Sequence, residues 1–374
     1  MKICTMTCHH VYNYGASLQA YALQHYLESL GHDVEIIDYR LPSHRRYDWS
    51  YIYPEGRLYN LTQKFPFLKW PVGLYRNRRM FATWGRKQSF DLFDANYLNI
   101  TECTYRTTED LQHNPPNADL YIAGSDQIWN TDAPNGHMPG YYLDFGLKST
   151  KRISYAASFG IAEIADECKD FVKEKLGKLN AISVREKSGA KILGELEFSK
   201  VDVVCDPVFL LSKAEWKNLA RQSKSYNLKK DSYILLYDFI GDEHVEEFCK
   251  QISKETGKKI VSVNDFESRQ YADMNINNAG PLEFVSLIDN AAYVIANSFH
   301  ATAFSVILEK DFYTFSLKTQ RNSSRMTDFM NIVGLQNRFH TIKMQPEINY
   351  TLVMHKLNEY IESGKKFLER NLKR

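Results

Sequence analysis

The stretch "VYNYGASLQAYALQHYLESLGHDVEIIDYR", residues 11–40, follows the β-like opening "KICTMT". It reads as strand, turn, helix, strand. Over 17–30 the residues Leu18, Tyr21, Ala22, His25 or Tyr26, and Leu30 recur at helical spacing. Gly31 stands where a C′ residue closes a helix, and "VEIIDY" is the second strand. The turn into the helix is unusual for such a unit. A dinucleotide-binding βαβ unit carries a glycine-rich loop that lets the backbone close on a pyrophosphate. Here there is one glycine, Gly15, among Asn13, Tyr14 and two small residues, and no GxGxxG follows the opening strand. Such a turn does not read as a dinucleotide site.

Working outward, short β-branched or apolar runs follow at "ADLYIAGS" (118–125), "RISYAAS" (152–158), "AISVRE" (181–186) and "VDVVCDP" (201–207). Helical stretches such as "DECKDFVKEKLGKLN" lie between some of them. Strands alternating with helices predict a parallel sheet covered on both faces. The pattern then restarts. "SYILLYDFI" (232–240) is a strand, "DEHVEEFCKQISKETG" a helix closed by Gly257, and "KKIVSV" a strand. "AYVIANS" running into "FHATAFSVILEK" parallels "DLYIAGSDQIW" in the first half. The expectation is an α/β chain of two Rossmann-like domains facing across a cleft, at 1–210 and 211–345. A charged amphipathic helix within 346–374 packs back on them, and an insertion occupies about 40–100.

The chain has 374 residues, 44% of them hydrophobic and 25% charged, which suits two globular domains. Its net charge of +2 indicates no partner. No uninterrupted apolar run is long enough to cross a bilayer. "MKICTMTCHH" lacks a signal peptide's apolar core and reads as a first strand, so a cytoplasmic location is expected. Cys4 and Cys8 share a strand face roughly 13 Å apart, too far to grip one ion. No metal is expected, and the six cysteines read as reduced and buried. Local charge is another matter. Residues 40–90 carry eleven Lys or Arg against two acidic residues, and three of the five tryptophans. A solvated excursion is the plain reading. Contact with an anionic membrane or lipid-linked substrate is the second, through Arg45, Arg46, Arg76, Arg78 and Arg79 with Trp49, Trp70 and Trp84. Nucleic-acid binding through stacking and phosphate contacts is the third, but no RNA- or DNA-reading motif accompanies it and no nucleic-acid partner is expected.

In open parallel sheets, ligands bind beyond the carboxyl ends of the strands. Four segments fall there. "NYGAS" offers Gly15 for close approach and free N–H groups where a helix begins near Ala16–Ser17. "GSDQIWN" offers Ser125, Asp126, Gln127, Trp129 and Asn130, the carboxylate, amide and indole set that suits a sugar. Arg185, in "SVRE", is a cation for phosphate or carboxylate. "NSFHATAF" places Ser298, His300 and Thr302 where strand becomes helix. Each has a structural alternative: Asn297 or Ser298 as a helix cap, Asp126 capping a turn, Arg185 paired with Glu186 or Asp206.

Taken in order, "NYGASLQAYALQ", "GSDQIWN", "SYAASFG", "SVRE", "CDPVFLL", "NSFHATAFSVILEKDF" and "RNSSRMTDFM" resemble the polysaccharide pyruvyl transferase family. The resemblance runs from about residue 3 to 340 and is weakest over 40–90. It implies a fold similar to B-type glycosyltransferases, with phosphoenolpyruvate (PEP) as co-substrate and no cofactor. The N-terminal domain would then hold the acceptor and the C-terminal domain the donor. The implied activity moves pyruvate onto a sugar of a surface or capsular polysaccharide precursor, lipid-linked and met at the inner face of the membrane, forming a cyclic ketal and releasing phosphate. Such chemistry needs an acid, a base and charge stabilisation. On this resemblance His300 and Asp126 are catalytic. Arg185, Ser298, His300, Arg321 and Arg325 bind the donor; Asn13, Tyr14, Gly15, Gln19, Ser125, Gln127 and Trp129 bind the acceptor. Some members carry Arg-Leu-His where this chain has Ser298-Phe299-His300, so either Arg321 or Arg325 replaces that arginine or the donor geometry differs. A nucleotide-sugar glycosyltransferase of the same fold and a non-catalytic carbohydrate- or membrane-binding scaffold are the competing readings.

Overall fold

A computed structural model describes residues 1–40, 47, 56–76, 78–264, 267–316 and 323–373. Arg45, Arg46, Trp49 and Arg321 lie outside the described residues, as do the side chains of Arg76 and Arg79. Twelve strands are described: β1 (Lys2–Met6), β2 (Asp33–Tyr39), β3 (Ile100–Tyr105), β4 (Leu120–Ala123), β5 (Lys151–Ser154), β6 (Ile182–Val184), β7 (Val201–Val203), β8 (Tyr233–Tyr237), β9 (Lys259–Val263), β10 (Met274–Ile276), β11 (Tyr293–Ala296) and β12 (Asp311–Thr314). The first sheet runs β3-β2-β1-β4-β5, and the second β10-β9-β8-β11-β12. Every pairing is parallel, with Ile3 opposite Val34 and Leu120, and Leu236 opposite Ser262 and Ile295. The parallel pair β6–β7 extends the first sheet through the Ile153–Ala181 bridge. The two halves therefore share one Rossmann-like topology, as the restarted pattern implies. In each half the strand order reverses beside the first strand, between β1 and β4 and again between β8 and β11. That reversal opens a crevice at the strands' carboxyl ends.

The opening helix spans Tyr14–Ser29 and begins earlier than its apolar spacing suggests, because the Asn13 side chain accepts from Ala16 N–H at 3.2 Å. Its buried face is Leu18, Ala22, Leu23 and Leu27; Tyr21 is half-buried, and Leu30, the C-cap, is exposed. Gly31 follows at φ +83°, the left-handed conformation that suits glycine. One apolar cluster runs without a break from this helix through the facing side of β8–β12 to the final helix, Tyr350–Leu372. That helix straps the halves together. The Tyr350 hydroxyl donates to the Lys310 carbonyl, Tyr360 to the carbonyls of Arg185 and Val204 (3.2 and 3.1 Å), and Lys151 Nζ to the Asn371 carbonyl. All six cysteines are free; Cys103 is exposed rather than buried, on the edge strand β3. Burial pushes the Cys4 and Cys8 thiols up to about 12.

Candidate active site between the domains

The loops after β1 and β4 face those after β8 and β11 across a cleft of about 430 Å³. Asn13, Asp126 and Gln127 line it from the first half. Phe239, Ile240, Asn297, Ser298, His300 and Arg325 line it from the second. Each pair of loops is cross-braced. The Thr7 hydroxyl donates to the Ser125 carbonyl at 2.9 Å. Asn297 donates to Asp238 at 2.6 Å and accepts from Phe239 N–H at 3.1 Å. Asp126 holds a left-handed backbone, φ +72°, uncommon without glycine. Two N–H groups fix it by donating to its carbonyl, Ile128 at 2.8 Å and Ser158 at 3.0 Å.

Behind the cleft sits Asp206, fully buried. It accepts from Arg185 Nη1 at 2.5 Å, Ser125 Oγ at 2.9 Å and Val208 N–H at 3.1 Å. His300 Nε2 lies 3.5 Å from the same carboxylate. Burial alone would raise the Asp206 pKa, but His300 and Arg185 together hold it well below the usual carboxylate range. Arg185 is stacked over Phe299 from the other domain, 4.7 Å from the ring centre. Its pKa rises despite burial because Asp206, Glu186 and Asp126 surround it. Glu186 is itself anchored by Ser158 Oγ at 2.8 Å and Phe159 N–H at 3.1 Å.

Asp206 thus ties Arg185 to His300, and this internal pairing was one of two alternatives open for Arg185. It commits only one nitrogen. Arg185 Nε and Nη2 and His300 Nε2 are all buried without a hydrogen-bond partner, each leaving an unmet donor or acceptor worth roughly 1–3 kcal/mol. Arg325 adds a second guanidinium. Burial, and then the charge of Arg185, draw its pKa down to about 10. With the Gln127 amide oxygen turned toward it, Gln127 accepts from Arg325 at 2.8 and 3.2 Å. Ser298 is the N-cap of the helix Phe299–Ile307, accepting from Ala301 N–H, and it also lines the cleft.

Gly15 does permit a close approach, but the approaching group belongs to the protein. A Cβ at this position would stand 2.0 Å from His300 Nδ1. Four expected acceptor residues are placed elsewhere. Tyr14 is 1% exposed; its ring stacks on Phe284 of the second domain at 4.3 Å, and its hydroxyl donates to the Ala279 carbonyl. Gln19 is fully buried and braces Thr7 at 2.8 Å. Trp129 is fully buried, stacked on Tyr142, its indole N–H donating to the Tyr141 carbonyl at 3.1 Å. Ser125 is fully buried against Asp206. Tyr14 and Trp129 turn inward because aromatic rings gain more from burial and stacking than from solvent. From sequence, Asp206 and Glu186, which organise the site, are recognisable only as possible partners of Arg185. The signal for both is a carboxylate at a strand's end, in "SVRE" and "VCDP".

Among the described residues, no cluster of three or more His, Cys, Asp or Glu is placed to hold a metal, and no helix is long and apolar enough to cross a membrane. The family model for polysaccharide pyruvyl transferases matches residues 13–319. No curated protein matches the chain in sequence. Solved structures match along its whole length at low identity. A glycosyltransferase involved in avilamycin A biosynthesis is 10% identical over 99% of this chain and 97% of its own, with a TM-score of 0.51. A UDP-N-acetylglucosamine 2-epimerase from Rickettsia bellii is 11% identical over 99% and 95%, with a TM-score of 0.50. These likenesses show the B-type glycosyltransferase fold.

Proposed function

From the fact that this chain belongs to the polysaccharide pyruvyl transferase family, we propose that it transfers pyruvate from PEP to a sugar of a lipid-linked polysaccharide precursor. One observation carries the donor assignment: Arg185 Nε and Nη2 are buried without a hydrogen-bond partner where the two domains meet. PEP brings a phosphate and a carboxylate, whose oxygens would satisfy them. Arg325 supplies a second cation, its charge relieved by an anion. The first turn of Phe299–Ile307 adds backbone N–H groups.

The roles follow from the chemistry. Asp206 faces His300 Nε2 and orients the ring, so His300 presents Nδ1 as the proton-exchanging edge. Protonation of the PEP methylene leaves a cationic C2, which one sugar hydroxyl attacks. The C2–O bond to phosphate breaks, phosphate departs, and a neighbouring hydroxyl closes the ketal. One hydroxyl proton replaces the proton given to the methyl group, and the other leaves with phosphate. Asp126 is the one carboxylate lining the cleft among the described residues, and it takes the acceptor proton.

The test is phosphate release from PEP with a panel of sugar acceptors, products read by mass spectrometry. The expected result is an acceptor mass increased by one pyruvyl ketal, lost in His300→Ala while the variant stays folded. Transfer from a nucleotide sugar with PEP inert would overturn the reading. So would the absence of PEP binding in calorimetry.

A further inference from the structure

We propose that residues 56–76 form an arm that docks the protein on an anionic lipid bilayer. Two helices, Arg57–Lys64 and Lys69–Arg76, are joined by the turn Pro66–Leu68. At about 12 Å each they are too short to span a bilayer and suited to lying along its surface. Of residues 56–75 only Thr62 and Gly73 are buried. The arm therefore contributes little to the folded core, yet it is rich in large apolar side chains. Leu58 and Leu61 on the first helix and Phe65 at its C-cap recur at i, i+3, i+7. Phe67, Trp70 and Leu74 repeat that spacing through the turn and second helix. Each set forms one stripe. Phe67 is 75%, Trp70 61% and Tyr75 62% exposed, a concentration of bare apolar surface that soluble proteins avoid outside binding faces.

Charge selects the partner. Arg57, Lys64, Lys69 and Arg78 are interleaved with these apolar groups and exposed, and no Asp or Glu occurs from 56 to 90. Lys64 lies over the Phe65 ring and Arg78 over Tyr75, 5.7 and 4.5 Å from the ring centres. Aromatic rings with cations beside them match the headgroup zone, where rings sit at the boundary and cations meet lipid phosphates. An acidic headgroup layer over hydrocarbon complements both features at once. The purpose of docking rests on the reading that the acceptor is lipid-linked; the docking does not.

Sedimentation with vesicles tests it, using the full chain with phosphatidylcholine alone or mixed with phosphatidylglycerol, at low and high salt. The wild-type protein should bind only the anionic vesicles and be released by salt. Neutralising a cation at such a surface weakens binding about fivefold. Arg57→Gln, Lys64→Gln and Lys69→Gln combined should therefore weaken it by about a hundredfold. Phe67→Ser with Trp70→Ser should abolish it, with circular dichroism and calorimetric PEP affinity unchanged. Wild-type protein that ignores anionic vesicles, or variants that bind like wild type, would overturn the proposal. So would an arm that instead pairs two copies, shown by wild-type dimers that the Phe67→Ser/Trp70→Ser variant converts to monomers without any vesicle binding. Vesicle binding without PEP turnover would leave the docking in place and remove the pyruvyl transfer reading. Turnover without vesicle binding would do the reverse.

Discussion

Gly15→Ala isolates the contact on which the site depends. Gly15 is in the first turn of Tyr14–Ser29 with no left-handed φ, so its backbone accepts alanine without strain. The obstacle is His300. The added methyl would stand 2.0, 2.3 and 2.6 Å from Nδ1, Cγ and Cε1, where ordinary contact begins at 3.4 Å. The ring or the helix start must therefore yield by roughly 1.4 Å, and overpacking of this kind costs about 1–3 kcal/mol. Displacing a catalytic group by an ångström lowers turnover by about a hundredfold. Denaturant unfolding of Gly15→Ala, His300→Ala and the double variant separates this contact from any general effect. Once His300 is removed the clash is gone, and alanine becomes the better helix former by up to about 1 kcal/mol. The change should thus reverse sign, destabilising beside His300 and neutral or stabilising without it. Equal costs in both backgrounds, or Gly15→Ala with wild-type stability and turnover, would refute the contact and with it the placement of His300.

Arg325→Ala should weaken PEP binding by about ten- to a hundredfold, the loss of a charge-assisted contact of roughly 1.5–3 kcal/mol, as read by calorimetry. Arg185→Ala should act on the fold as well, because it leaves Asp206 buried with a partner removed; about 3–5 kcal/mol of stability should be lost, read by urea unfolding. Asp206 also sets an acid limit. Its folded pKa lies below its unfolded one, so its stabilisation is present above the unfolded value near 4 and is lost as pH falls toward the folded value. Asp206→Asn should be less stable than wild type at neutral pH, with the difference shrinking in acid. Trp129→Phe removes a buried hydrogen bond and should cost about 1 kcal/mol while leaving the acceptor Michaelis constant unchanged; a raised constant would return Trp129 to the binding face.

Much of the fold is legible because its central strands are buried on both faces and spell themselves as apolar runs. "LYIA" of β4 and "YILLY" of β8 are buried at every residue. Edge strands give no such signal: β3 reads "ITECTY" with three exposed residues in succession, and β10 is three residues long. The helices of 57–76 give a weak signal because each is only eight residues long and Pro66 and Pro71 interrupt the run. The site is legible only by position. The ends of β4, β6 and β11 mark where chemistry gathers, but not which side chains turn inward. Gly15 and His300 meet across a domain boundary, and Asp206 gathers Ser125, Arg185 and His300 from three separate segments. Local periodicity carries no trace of such contacts.

The repeated topology makes the differences between halves informative. After β11 the chain enters a helix at once, with Ser298 as its cap, so the second half presents backbone N–H groups beside His300 and Arg325. After β4 no α-helix forms until Asp166–Leu176. The chain instead turns through the left-handed Asp126 and presents a carboxylate and the Gln127 amide. N–H groups and cations favour a phosphorylated donor, while a carboxylate opposes a second anion and suits a hydroxyl that must lose its proton. On the proposed reading, the second wall suits an anionic donor, helped by Arg185 from the first half, and Asp126 on the first wall suits a sugar hydroxyl. Gly15, the lone glycine of the first turn, lets the two walls close to contact at His300.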